Sequence, residues 1–112
     1  MEFGYARVST KNQHEDRQVE RLLQYGVEER NIIVDKESGK DMERDGYMLL
    51  KNKLLRKGDT LVITELDRLS RKKVDIKAEL ESLKEIGVRV KILNIPTTLI
   101  EFFQLIHRRI EL

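Results

Sequence analysis

Phe3-Gly4-Tyr5-Ala6-Arg7-Val8-Ser9-Thr10 is the stretch from which the rest of the chain can be read. Phe3 to Val8 reads as a strand, and the polar pair Ser9-Thr10 closes it. Asn12 to Tyr25 then reads as a helix with Val19, Leu22 and Leu23 on its buried face. Asn12 followed by Glu15 has the pattern of an N-terminal cap, and Gly26 that of a stop. The same unit recurs down the chain. Ile32, Ile33 and Val34 form a second short strand, and Arg44 to Arg56 a helix carrying Tyr47, Leu50 and Leu54, ended by Gly58. Thr60 to Thr64 is a third strand. Lys73 to Ile86 is a helix with Ile76, Leu80 and Leu83 on one face, ended by Gly87, and Val88 to Leu93 is a fourth strand. Strand-helix alternation specifies an α/β domain with a mostly parallel central sheet of at least four strands, flanked by helices. After Pro96 a last amphipathic run places Leu99, Phe103, Ile106 and Ile110 along one side.

Length and composition narrow the function classes. At 112 residues the chain is one small domain. Its net charge of +2 excludes a histone-like or polybasic protein, yet a local basic cluster can still bind nucleic acid. With no Cys, disulfide scaffolds, thiolate zinc sites and cysteine nucleophiles are all absent. No apolar run approaches the roughly 18 residues of a membrane span, and the first residues lack a signal-peptide pattern. The expectation is a soluble, cytoplasmic protein without a cofactor.

In a parallel sheet, ligands sit outside the carboxyl ends of the strands. Ser9 and Thr10 follow the first strand. Asp35, Lys36, Ser38 and Gly39 follow the second, and Asp67, Arg68, Ser70 and Arg71 the third. Alternation puts Tyr5, Arg7 and Ser9 on one face if the strand continues that far. A hydroxyl and several arginines thus converge on one edge, and their preferred ligand is a phosphate. Each residue also has a plainer reading. An isolated Ser between strand and helix is a cap or turn residue. Arg7 in a central strand loses hydration unless it meets an anion, either Asp35 or Asp67 in a salt bridge or a substrate phosphate. The basic run Arg68 to Lys73, which includes Lys72, is interrupted at Leu69 and preceded by Leu66, a spacing that anchors it. By composition alone Gln18 is a solvated helix residue. His14, Glu15 and Asp16 are neighbours that face different ways on a helix and cannot converge on a metal. Tyr5 and Tyr47 are explained by packing. His107-Arg108-Arg109 forms the polar face of the last helix.

Taken together, three blocks carry a resemblance. Tyr5-Ala6-Arg7-Val8-Ser9-Thr10 with Gln18 downstream, Asp35-Lys36-Glu37-Ser38-Gly39 followed by Arg44, and Leu66-Asp67-Arg68-Leu69-Ser70-Arg71 resemble the serine recombinases, the resolvase and DNA-invertase family, in family order over roughly residues 2 to 95. The resemblance implies a three-layer resolvase-like catalytic domain over residues 1–96. Residues 97–112 would begin a C-terminal helix for dimerisation and DNA contact. The stop at Leu112 reads as an N-terminal catalytic domain or a truncated piece. The resemblance makes Ser9 the nucleophile and Arg7, Arg68 and Arg71 the phosphate-binding arginines, with Asp67 and Gln18 beside them. Arg44, Ser38, Tyr5 and Lys72 would contribute to holding the DNA phosphate. It implies double-stranded DNA as substrate, a homodimer and a tetramer in the recombining complex.

The implied reaction suits the residues. A serine hydroxyl attacks a phosphodiester and expels a sugar oxygen, leaving a phosphoserine ester of similar energy that reseals without ATP. The non-bridging oxygens need neutralising, and arginines can do this where no carboxylate cluster offers a metal site. No general base is visible, since none of the three blocks contains His. Two other readings remain: a non-catalytic, flavodoxin-like module sensing phosphate or nucleotide, and a catalytically dead DNA-binding fragment.

Overall fold

The computed structural model describes residues 1–9, 17–38, 41–42, 45–69 and 73–94. Five strands, β1 (Glu2–Ser9), β2 (Ile32–Ser38), β3 (Asp41–Met42), β4 (Thr60–Ile63) and β5 (Arg89–Ile92), form one sheet in the order β3-β2-β1-β4-β5. β1 is central. It pairs in parallel with β2 from Gly4↔Ile32 to Ser9↔Glu37, and with β4 from Glu2↔Thr60 to Gly4↔Val62. β4 and β5 are also parallel, and β3 adds a short antiparallel edge through Glu37↔Met42 and Ser38↔Asp41.

Alternation along the strands makes three layers. Phe3, Tyr5, Leu61, Ile63, Val90 and Ile92 pack with Tyr47 and Leu50, and with Leu83 of helix α3 (Lys73–Ile86). Tyr47 belongs to α2 (Asp45–Leu49), which continues as a wider π-helical turn over Leu50–Leu54. On the opposite face Ala6 and Val62 pack with Leu22 of α1 (Arg17–Tyr25) and with Val27. Gly4 lets α1 approach closely, because a Cβ there would lie 3.1 Å from Leu22 Cδ1. α1 and α3 both stop at glycines with positive φ, Gly26 at 119° and Gly87 at 88°, a conformation that costs other residues free energy.

The α/β architecture and the bounds of α3 agree with the sequence reading. Several details differ for local reasons. β2 does not end at Val34: Asp35, Lys36, Glu37 and Ser38 stay in register with β1 or β3 through backbone pairing that needs no apolar side chain. Those residues therefore lie in the strand rather than after it, and β3 is an addition. The third strand stops at Ile63, and β5 is trimmed to Arg89–Ile92. The expected continuous helix over Arg44 to Arg56 is broken into α2 and the π turn, closed by the Leu55 N–H donating to Leu50 O at 2.8 Å. Leu23 is 42% exposed, because α1 turns Gln18 and Leu22, four residues apart, toward the sheet instead. The cap at Asn12 to Glu15, the His14 cluster and the run after Pro96 lie outside the described residues.

Candidate active site

The pairing of β1 with β4 ends at Gly4↔Val62, so beyond that point β1 needs other partners on this side. Gln18 of α1 supplies them at Arg7. The Arg7 N–H donates to Gln18 Oε1 (3.2 Å), and Gln18 Nε2 donates to Arg7 O (3.0 Å). One side-chain amide thus reproduces the two bonds of a neighbouring strand. Gln18 is buried, not solvated as composition alone suggested. Arg68 reaches the same carbonyl, with Nη1 donating to Arg7 O at 3.1 Å, while its Nη2 lies 3.4 Å from Glu65 Oε2. Arg68 belongs to a 3-10 turn, Leu66–Arg68, that follows β4. Leu69 just after it is fully buried and Leu66 packs against the core, which pins the basic segment. The first and third sequence blocks therefore meet at the backbone of a single residue, Arg7, which is itself 2% exposed.

The second block enters from β2. Asp35 is the register partner of Arg7 and is buried. Its Oδ2 accepts from the Tyr5 hydroxyl (2.7 Å) and the Tyr47 N–H (3.0 Å), and its Oδ1 from the Gly46 N–H (2.8 Å). A carboxylate is thus held by a phenol and by two N–H groups of the first turn of α2, where the open end of the helix favours negative charge. The Tyr5 and Tyr47 rings tilt against each other at 59°, with centroids 5.2 Å apart. The Tyr47 hydroxyl donates to Glu79 Oε2 of α3 at 2.6 Å, and Lys51 Nζ lies 3.0 Å from that oxygen. Packing alone does not account for these tyrosines: both hydroxyls are committed to carboxylates.

Among the sequence-derived site residues, Arg7, Gln18 and Arg68 come together at the carboxyl end of β1. Tyr5, grouped by sequence with the phosphate-binding residues, is wholly buried behind them on Asp35. Ser9 is the last residue of β1, its backbone in register with Glu37, two positions beyond Arg7. Ser38 ends β2 and Asp67 sits within the 3-10 turn. Arg44, Arg71 and Lys72 lie outside the described residues. Sequence reasoning named Asp35 as a polar residue at a strand end and as a salt-bridge partner for Arg7, without giving it a site role, and it did not single out Glu79 or Thr64. Glu79 carried no signal among the other charges of α3. Thr64, 1% exposed at the end of β4, carries a hydroxyl with no hydrogen-bond partner among the described residues. Also among the described residues, no three acidic or histidine side chains are grouped to hold a metal, and no helix is long and apolar enough to cross a membrane.

Residues 2–107 match the family described as Resolvase, N terminal domain. A resolvase of Clostridium perfringens is 41% identical over 94 residues, covering 84% of this chain and 49% of the relative. The transposon Tn3 resolvase of Escherichia coli is 38% identical over 92 residues, covering 82% and 49%. The chain thus spans about half the length of the curated relatives it matches. Among solved structures, the C-terminal catalytic domain of ISC1926 TnpA, an IS607-like serine recombinase, is similar at a TM-score of 0.62 and 27% identity, over 94% of this chain and 78% of that one. The first ORF of transposon ISC1904 from Sulfolobus solfataricus shares the fold at a TM-score of 0.62 and 23% identity, over 96% and 86%.

Proposed function

The chain belongs to the resolvase N-terminal domain family, and from that premise we propose that it is the catalytic domain of a serine-type site-specific DNA recombinase. The Ser9 Oγ attacks a DNA phosphorus, the bond from phosphorus to the 3′ oxygen breaks, and that oxygen takes a proton. The products are a 5′-phosphoserine ester and a free 3′ hydroxyl. In the reverse sense a 3′ hydroxyl attacks the ester, the bond to Oγ breaks, and Ser9 regains its proton. Arg7, Arg68 and Arg71 neutralise the non-bridging oxygens as charge builds on them. Asp67 orients an arginine or protonates the leaving oxygen, and Gln18 fixes the strand that carries Arg7 and Ser9. Arg44, Ser38 and Lys72 hold the DNA phosphate, and Tyr5 positions the site from behind through Asp35.

The observation that carries this reading is Arg7. A guanidinium 2% exposed in the central strand, two residues before a strand-end serine, has its backbone clamped by Gln18 and Arg68 from two separate blocks. Such an investment in rigidity suits a group that must meet one phosphate in one geometry. Relatives named as resolvases and recombinases do not favour a regulatory sensing module. The partner is double-stranded DNA. Recombining two duplexes means cutting four strands with one serine each, which calls for a homodimer at each site and a tetramer in the exchange complex, acting in the cytoplasm.

The test uses the full-length protein that carries this domain. Footprinting on the DNA flanking its reading frame locates the bound site, and nicked duplexes of that site trap the covalent adduct. Ser9→Ala is expected to abolish the adduct and leave DNA affinity within about twofold, because phosphate attraction comes from the basic residues. A Ser9→Ala protein that still forms the adduct overturns the assignment.

A further inference from the structure

With the recombinase reading as its premise, we propose that Tyr47 and Glu79 form a positioning couple that sets helix α3 against the strand that carries Arg7. Neither residue belongs to the three sequence blocks. Tyr47 is held at both ends. Its N–H donates to Asp35, the register partner of Arg7, and its ring lies on Tyr5, two residues before Arg7. Its hydroxyl crosses to α3 and donates to Glu79 at 2.6 Å. An unbroken series of contacts therefore runs from β1 through β2 and α2 to α3.

Chain continuity gives that series its purpose. Arg44 immediately precedes Asp45, the first residue of α2, and Arg71-Lys72 immediately precede Lys73, the first residue of α3. The two arginine-bearing segments thus run directly into the two helices that the couple ties together. Glu79 lies six residues into α3, about 9 Å along its axis from the start. Around the couple, Leu50, Leu80 and Leu83 supply aliphatic contact in the same core. Such packing is non-directional and tolerates small slides of one helix on another. A short bond to a carboxylate does not, since it weakens steeply with distance and angle. Lys51 lies 3.0 Å from Glu79 Oε2 and 3.2 Å from Oε1, so the half-buried charge is compensated without giving up the acceptor. Two leucines could fill the same space at lower desolvation cost. The polar pair serves register more than burial.

The test measures single-turnover adduct formation on the nicked site duplex, alongside DNA affinity and thermal unfolding, for the full-length protein and its variants. Tyr47→Phe is expected to slow cleavage about tenfold, the equivalent of one hydrogen bond, with affinity within about twofold. Glu79→Leu, which also removes the Lys51 contacts, should slow it at least as much. The double variant should lose no more than Glu79→Leu alone, because the bond that Tyr47→Phe removes is then already gone. Glu79→Gln, which keeps an acceptor for the phenol, should recover most of the rate. If Tyr47→Phe is unfolded at the assay temperature, Glu79→Leu against Glu79→Gln makes the same comparison. A folded Tyr47→Phe that cleaves at the unsubstituted rate, or single losses that multiply in the double variant, overturns the couple while leaving the recombinase reading in place. An unsubstituted protein that forms no adduct overturns that reading before any variant is compared, and the couple with it.

Discussion

On the proposed function, Arg68 serves both structure and chemistry. Its guanidinium donates to the Arg7 carbonyl and lies against Glu65, so its planar fork is held in place by the fold itself. A lysine at this position keeps the charge but offers one compact ammonium in place of several fixed donors. Arg68→Lys is therefore expected to slow cleavage by roughly 10- to 100-fold with only a modest loss of DNA affinity. Parallel rate and binding assays check this, and an unchanged rate would mean that charge alone suffices. At this scale the sequence was informative about identities and less so about partners. Ser9, Arg68 and Arg71 stood out because polar residues gathered after strands, and Arg7 because it sat within one, whereas Gln18 was picked out only by the family resemblance. The partners of the tyrosine hydroxyls, Asp35 and Glu79, are 30 and 32 residues away from their donors, and no local pattern encodes such a pair.

At the scale of elements, legibility followed the strength of the apolar period. α3, whose long amphipathic run ends at a glycine, has the bounds its sequence implies. β2 and β3 were hard to read because their final residues are polar and are held by backbone pairing at a sheet edge. The π turn over Leu50–Leu54 was hidden because a single wide turn leaves the apolar spacing nearly helical. The end of α3 offers a test. Gly87 has φ of 88°, and a Cβ there would stand 2.7 Å from Lys57 Cγ and 3.3 Å from its Cα. Gly87→Ala is expected to destabilise the domain by about 1–3 kcal/mol through backbone strain and the shift forced on Lys57. Urea unfolding should show a lower midpoint with an unchanged slope. An unshifted midpoint would mean that the loop relaxes freely.

At the scale of the whole molecule, three sequence blocks separated by helices are drawn to the carboxyl ends of β1, β2 and the segment after β4, where parallel α/β sheets place ligands. This convergence follows from topology: β1 lies between β2 and β4, so its end is the one place that both neighbouring segments can reach. With a net charge of +2, the proposed phosphate recognition rests on local arginines rather than on the field of the entire chain. On the proposed function, arginine-based neutralisation requires no divalent ion, and the attacking group is Ser9. Both features are open to one measurement. The full-length protein is trapped on its nicked site duplex in the presence of EDTA, and the DNA-linked peptide is sequenced by mass spectrometry. The expected result is a single adduct, formed undiminished in the chelator, joining the Ser9 Oγ to a 5′ phosphate. An adduct on any other residue, a linkage to the 3′ phosphate, or an adduct that forms only when Mg²⁺ is restored would contradict it.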